Sequence, residues 1–348
     1  MNGREGHIKI LSGKILHNLY IFGLYGLVML MFTILSPDFL EVYSLGKIIW
    51  RNTYVVIMTI GLSFVMAGGW IDFSAGYQIS LVSVLAGRLL GAGVHPVIVI
   101  LLSLFAGLFC GLLNGFLTAV LGLAPFAATF ATQVIFKGIS YTISSGSVFS
   151  NLPASFRVLT QTKILGIHTD IWIAAVCLMV AAFVFAFTYL GRYIKAIGEN
   201  EEAVWQSNVN VALIKMVCFL ISSFFCALAA LIMISQYGRA TSYNGAGMEI
   251  FGITAVYLSG AVNSEASKTG SGYHAWRLVM GVLILETIET GMKLMGWNQF
   301  IQYIVMGGIL AWAFMRSGYF SRNVRRQYDA GHSLLGKGRR KGKNFYKF

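Results

Sequence analysis

The sequence predicts an all-α fold, a polytopic transmembrane helical bundle of about ten spans. Three observations predict it. Of the 348 residues, 57% are hydrophobic and 11% charged, against about 25% charged in ordinary soluble domains. A soluble chain this apolar would lack the polar groups to cover its own surface. The charged residues are also spaced so that the gaps between them match the ~20 residues a helix needs to cross a bilayer. Finally, the apolar runs are long and continuous, whereas a closed β-barrel alternates in segments of about ten residues.

The elements follow from those gaps. Lys14 to Asp38 encloses 23 uncharged residues, Arg51 to Asp72 encloses 20, and Arg88 to Lys137 encloses 48, room for two spans broken near Gly122–Pro125. Asp170 to Arg192 encloses 21, Lys215 to Arg239 encloses 23, and Lys293 to Arg316 encloses 22. Three spans are less clean: residues 74–92 run apolar from Asp72 to Arg88, a short stretch lies between Glu249 and Glu265, and 275–293 contains Glu286 and Glu289. The predicted limits are 18–36, 46–66, 74–92, 96–121, 125–145, 171–190, 213–236, 248–263, 275–293 and 298–315. The first apolar run has no small-residue cleavage site after it and is expected to be retained.

An even number of spans puts both ends on one side, and charge decides which. The net charge is +13, but residues 316–348 hold ten Lys or Arg against the single acid Asp329. The basicity is therefore a local topological signal, which argues against a nucleic-acid partner. With both termini cytoplasmic, eighteen Lys and Arg fall inside and eight outside, as the positive-inside rule requires. The division that follows is a cytoplasmic segment 1–17, a membrane domain 18–316 and a basic cytoplasmic tail 317–348, expected to be disordered. Residues 146–170 form an outer loop with room for a short amphipathic helix. Residues 191–212 form the largest inner loop and carry Glu199, Glu201 and Glu202.

Catalytic patterns are missing. There is no G-x-x-x-x-G-K-[ST] phosphate loop, no H-E-x-x-H and no G-x-S-x-G, so no nucleotide, zinc or serine-hydrolase site is encoded by motif. The six histidines are scattered, no metal site is expected, and Cys110, Cys177, Cys218 and Cys226 read as buried thiols. Gly107, Gly111 and Gly115 share one helix face and invite a close backbone neighbour. Asn114 beside them either hydrogen-bonds across helices or faces a pore, because an amide at depth needs partners. Gly68 and Gly69 break a helix, and Asp72 and Ser74 either cap the next helix at the inner membrane face or contact a partner or solute. Glu286 and Glu289 lie on one face of the ninth span. They either carry protons or sit near a helix end, Glu289 pairing with Lys293.

At this point four blocks match a family. MAGGWIDFSAG resembles the "GGIDLSVG" motif of permease subunits from bacterial ABC importers of the ribose/xylose/arabinose/autoinducer-2 type. GLLNGFLTAVLGLAPFAATFATQVIFKGI, GRYIKAIGENEEAVWQSNVNV and AALIMISQYGRATSYNGAGMEIFGITAVYLSG are similar to that family's later blocks, in the same order. Trp70 stands where the family usually has glycine, the inner loop reads Gly-Glu-Asn rather than Gly-Gly-Asn, and SGAVNSEASKTGSG (259–272) is longer and more polar than its counterpart.

The resemblance implies a type II importer permease of about ten spans in a bacterial inner membrane. It implies three protein partners: a cytoplasmic ABC ATPase subunit, an extracellular solute-binding protein and a second permease subunit, identical or related. It implies no cofactor, ATP hydrolysis belonging to the partner. Gly198, Glu199, Asn200, Glu201, Glu202 and Ala203 match the coupling-loop block, where a short helix docks into the ATPase. Asn114, Thr129 and Gln133 match the block facing the path, and Gly69, Asp72, Ser74 and Gly76 the signature motif. The implied cargo is a monosaccharide or related small polar solute. On residues alone a second reading stays open: a proton-coupled secondary transporter using Glu286 and Glu289.

Overall fold

A helix occupies every one of the ten apolar intervals in the computed structural model. The structure describes residues 20–36, 39–42, 50–150, 152–262 and 274–316. The segment 1–17, the tail 317–348 and most of the loop 259–272 lie outside the described residues. The chain forms α1 (Tyr20–Leu35), α2 (Thr53–Ala67), α3 (Ala75–Gly91), α4 (Pro96–Gly115) and α5 (Pro125–Ser144). It continues through α6 (Ala154–Gln161), α7 (Thr169–Phe187), α8 (Tyr189–Gln206), α9 (Val211–Tyr237), α10 (Met248–Ser259), α11 (Ala275–Leu294) and α12 (Gln299–Arg316).

Among the described residues, three helices are long and apolar enough to cross a membrane by length and composition: α4 with its continuation to Val120, α7 and α9. Helices α1, α2, α10 and α12 are apolar but shorter. Local chemistry sets several ends. Proline fills the first position of α4 and α5, where its missing N–H costs nothing. The five residues Phe116–Val120 continue α4 as a π-turn. Gly238 closes α9 at φ 66°, a left-handed conformation that glycine adopts without strain.

Helix α9 is the axis of the bundle. It is 27 residues long and packs against α4, α2, α3, α6 and α8. Its contact with α4 is close because Gly107, Gly111 and Gly115 face it. A Cβ on Gly111 would come 2.7 Å from the Phe219 carbonyl oxygen, and one on Gly107 would fall on Ala227. The other face of α4 presents Leu101, Phe105 and Phe109 outward, as lipid or a second subunit requires. Short α10 packs on α11, α2 and α12, and α5 on α3.

Between α5 and α7 lie the short helix α6 and a hairpin of β2 (Lys163–Ile164) with β3 (Ile167–His168). Upstream, β1 (Phe149–Ser150) pairs antiparallel with β4 (Arg239–Ala240). The interval 191–212, expected as an inner loop holding a short helix, is helical over most of its length, through Gln206. The reason is amphipathy: Ile194, Ile197 and Val204 are buried while Glu199 and Glu202 stay exposed, so a helix lying on the bundle satisfies both sets.

Candidate functional site

The break after α2 is built around two glycines. Gly69 adopts φ 82°, where any Cβ would be strained. A Cβ on Gly68 would lie 2.7 Å from Cε3 of Trp70, whose ring folds back over it. The chain then delivers Asp72, completely buried, to the interior. Its Oδ1 accepts from the Ser74 N–H at 2.9 Å and the Ser74 hydroxyl at 2.6 Å. Its Oδ2 accepts from Ser222 Oγ at 3.3 Å.

Ser222 lies near the middle of α9, so Asp72 packs against the middle of that helix. Ser74 occupies the N-cap position of α3 without a side-chain cap bond. Its hydroxyl instead accepts from Gln78 Nε2 at 2.6 Å and Asn114 Nδ2 at 2.7 Å. Asn114 Oδ1 accepts from Thr132 Oγ1 at 2.6 Å. Of the two readings of Asn114, the structure thus shows bonds across helices, tying α4 to α3 and α5. Thr129 Oγ1 accepts from the Phe73 N–H at 3.2 Å, fastening α5 to the break. Every member except Phe73 is buried, so the network satisfies itself where water is excluded.

Gln133 belongs to a second pair. Its Nε2 donates to Glu249 Oε1 at 3.0 Å, joining α5 to the first turn of α10. Glu249 is 4% exposed. Its Oε2 rests against Gly76, where a Cβ would overlap both that oxygen and the Gly245 carbonyl. That close approach explains the glycine at 76. Among the described residues, Gln78 Oε1, Gln133 Oε1 and Glu249 Oε2, on three helices, meet no hydrogen-bond donor. Sequence reasoning treated Glu249 only as the boundary of a span. The available signal was an acid inside an otherwise apolar helix.

On α8, Gly198 meets the break itself: a Cβ there would fall on the Ala67 carbonyl, and the side-chain position of Gly69 faces Gly198 Cα at 3.7 Å. Helix α8 kinks at Asn200, φ −156° and ψ 95°. The Asn200 Oδ1 then accepts from the Ala203 N–H at 3.2 Å, so Asn200 caps a second, shorter helix. Glu201 and Glu202 fall in its first turn, where acids complement the helix dipole. Upstream, Thr188 Oγ1 caps α8 by accepting from the Gly191 N–H. Lys195 Nζ donates to the Phe185 carbonyl at 3.3 Å, and burial holds its ammonium below the ordinary lysine range.

Glu286 and Glu289 are not part of the Asp72 network. Glu289 forms an i, i+4 ion pair with Lys293, and Glu286 lies beside Asn52. Near them Asp170 Oδ2 accepts from Thr53 Oγ1 at 2.8 Å and Gln236 Nε2 at 2.5 Å, an arrangement that the sequence did not signal. All four cysteines are buried thiols. Among the described residues no group of three His, Cys, Asp or Glu is placed to hold a metal ion.

Comparison with known proteins adds the family. The chain is 27% identical over 285 residues to the ribose import permease protein of Escherichia coli K12, covering 81% of this chain and 87% of the relative. It is 31% identical over 295 residues to the ribose import permease protein of Bacillus subtilis, covering 83% and 88%. To the autoinducer 2 import system permease protein of Salmonella paratyphi B it is 29% identical over 297 residues, 84% of each chain. No solved structure matches it. The family model for the branched-chain amino acid transport system / permease component matches residues 44–313. The chain belongs to that family: it is a transport permease subunit and not an enzyme.

Proposed function

We propose that the chain forms the translocation path of an ATP-driven, binding-protein-dependent importer for a monosaccharide or related small polar solute. The observation that carries this reading is the polar pair of half-buried Gln133 and buried Glu249 beside the Asp72–Ser74–Asn114 network, inside a bundle of apolar helices. Unpartnered acceptors at that depth suit a cargo rich in hydroxyl donors. The import permeases that the chain resembles support the substrate class. In this reading Gln133 faces the path, and Asn114 and Thr129 brace the wall behind it.

The rest of the assembly follows. The segment Gly198–Ala203 docks a cytoplasmic ATPase, a solute-binding protein delivers cargo outside, and a second permease copy or relative completes the path. Both termini and α8 are cytoplasmic in the bacterial inner membrane, with ten spans. The proton-coupled alternative is not favoured: Glu289 is already paired with Lys293, and the family is one of importer permeases.

Reconstitution tests the reading. Proteoliposomes holding this chain, its ATPase and its binding protein should accumulate labelled ribose only when ATP is supplied on the side of the membrane that carries the ATPase. Ribose uptake by the chain alone, indifferent to ATP and collapsed by an uncoupler, would overturn it.

A further inference from the structure

We propose that Glu201, Lys215 and Trp70 form a strut that carries movement of α8 to the turn bearing Asp72. Lys215 and Trp70 act as positioning residues, and the proposal rests on the reading of α8 as the ATPase-docking segment. The three groups come from three separate elements. Glu201 is in the capped second half of α8, Lys215 in the first turns of α9, and Trp70 in the break between α2 and α3.

The geometry is continuous. Lys215 Nζ donates to Glu201 Oε1 at 3.1 Å. The same ammonium lies 4.9 Å from the centroid of the Trp70 ring, inside the range for a cation–π contact. Trp70 is 5% exposed and is held from beneath by Gly68, whose missing Cβ makes room for the ring. Two residues on, Asp72 locks the following turn by accepting from the Ser74 N–H. A second, backbone contact runs alongside, Gly198 of α8 against the Ala67 carbonyl. A shift of α8 therefore takes Glu201 and the Lys215 ammonium with it, and the Trp70 ring transmits the change to the turn. The glycine usual in the resembled motif has no ring to offer, so this link belongs to the present chain.

The charges make a clean experiment. Glu201 keeps 42% of its side chain exposed, so removing the Lys215 charge strands no buried carboxylate. Lys215→Met preserves the stem that packs along the bundle. The reporter is Phe73→Cys, half-buried beside Asp72, alkylated with N-ethylmaleimide in the complex of this chain with its ATPase. The four native cysteines are buried and contribute little background.

With the native strut, trapping the ATPase with ATP and vanadate should change the alkylation rate of the Phe73→Cys reporter about tenfold, the scale of a coupling free energy of this kind. Lys215→Met and Trp70→Leu should abolish that change while the ATPase still co-purifies, and Lys215→Arg should restore it. A nucleotide response that persists undiminished in Lys215→Met overturns the strut, as does no response with the native strut. A lowered unfolding midpoint with the response intact shows a structural role only, and also overturns it. The docking reading fails separately, on Glu202→Lys leaving ATPase co-purification unchanged.

Discussion

Asn114 shows how a single polar residue is worth placing inside a bundle. Its amide uses both ends, giving a proton to Ser74 and taking one from Thr132. Asn114→Leu should remove both interhelical bonds and lower the unfolding midpoint in detergent. The cost should be about 1 kcal/mol, since interhelical hydrogen bonds in membranes average about 0.6 kcal/mol each, while Ser74 keeps Asp72 and Gln78 and Thr132 keeps the Thr129 carbonyl. Glu249 acts differently, because its second oxygen meets no donor among the described residues. Glu249→Ala should reduce ATP-driven ribose uptake by about tenfold or more, the scale on which a buried polar contact to substrate discriminates. ATPase co-purification should stay unchanged, as Glu249 is remote in fold from α8. Unaltered uptake would remove it from the path.

At the scale of elements, two helices make separate tests. The α4–α9 seam depends on glycines that oppose backbone atoms, which do not move aside as a side-chain tip would. Gly111→Ala should therefore destabilise by about 1–3 kcal/mol, the range for overpacking, read as a lower thermal midpoint. Gly138 on α5 has open space around it, and Gly138→Ala should leave the midpoint within error or raise it slightly. Helix α8 carries the other test. Its second half is short, capped by Asn200 and acidic at its start. Glu202→Lys reverses an exposed charge and should weaken ATPase co-purification by at least about tenfold if that end enters a basic cleft. The resemblance implied a short helix there, but its extent from Tyr189 to Gln206 was not legible. Its apolar residues are widely spaced among charges, and only the bundle surface beneath them makes the spacing meaningful.

For the whole molecule, orientation is the property to check. The β2–β3 hairpin exposes Leu165 at 88%, between Ile164 and Ile167. A Leu165→Cys variant should react with an impermeant maleimide added to intact cells, whereas Glu202→Cys should react only after the membrane is opened. The opposite pattern would invert the topology. The sequence by itself determined the apolar runs, the gathering of positive charge in residues 316–348 and the family blocks, because each is a sum or a pattern over neighbouring residues. Hydropathy also located Asp72 and Ser74 at a break, and read Gly107, Gly111 and Gly115 as one packing face. Only the tertiary structure decided which polar groups meet. Asp72 with Ser222 is a pairing across 150 residues, and Gln133 with Glu249 one across 116. Hydropathy counts a buried polar residue as a cost without naming its partner. The partner is chosen when helices pack, by whichever donor and acceptor arrive at the same depth where no water can serve instead.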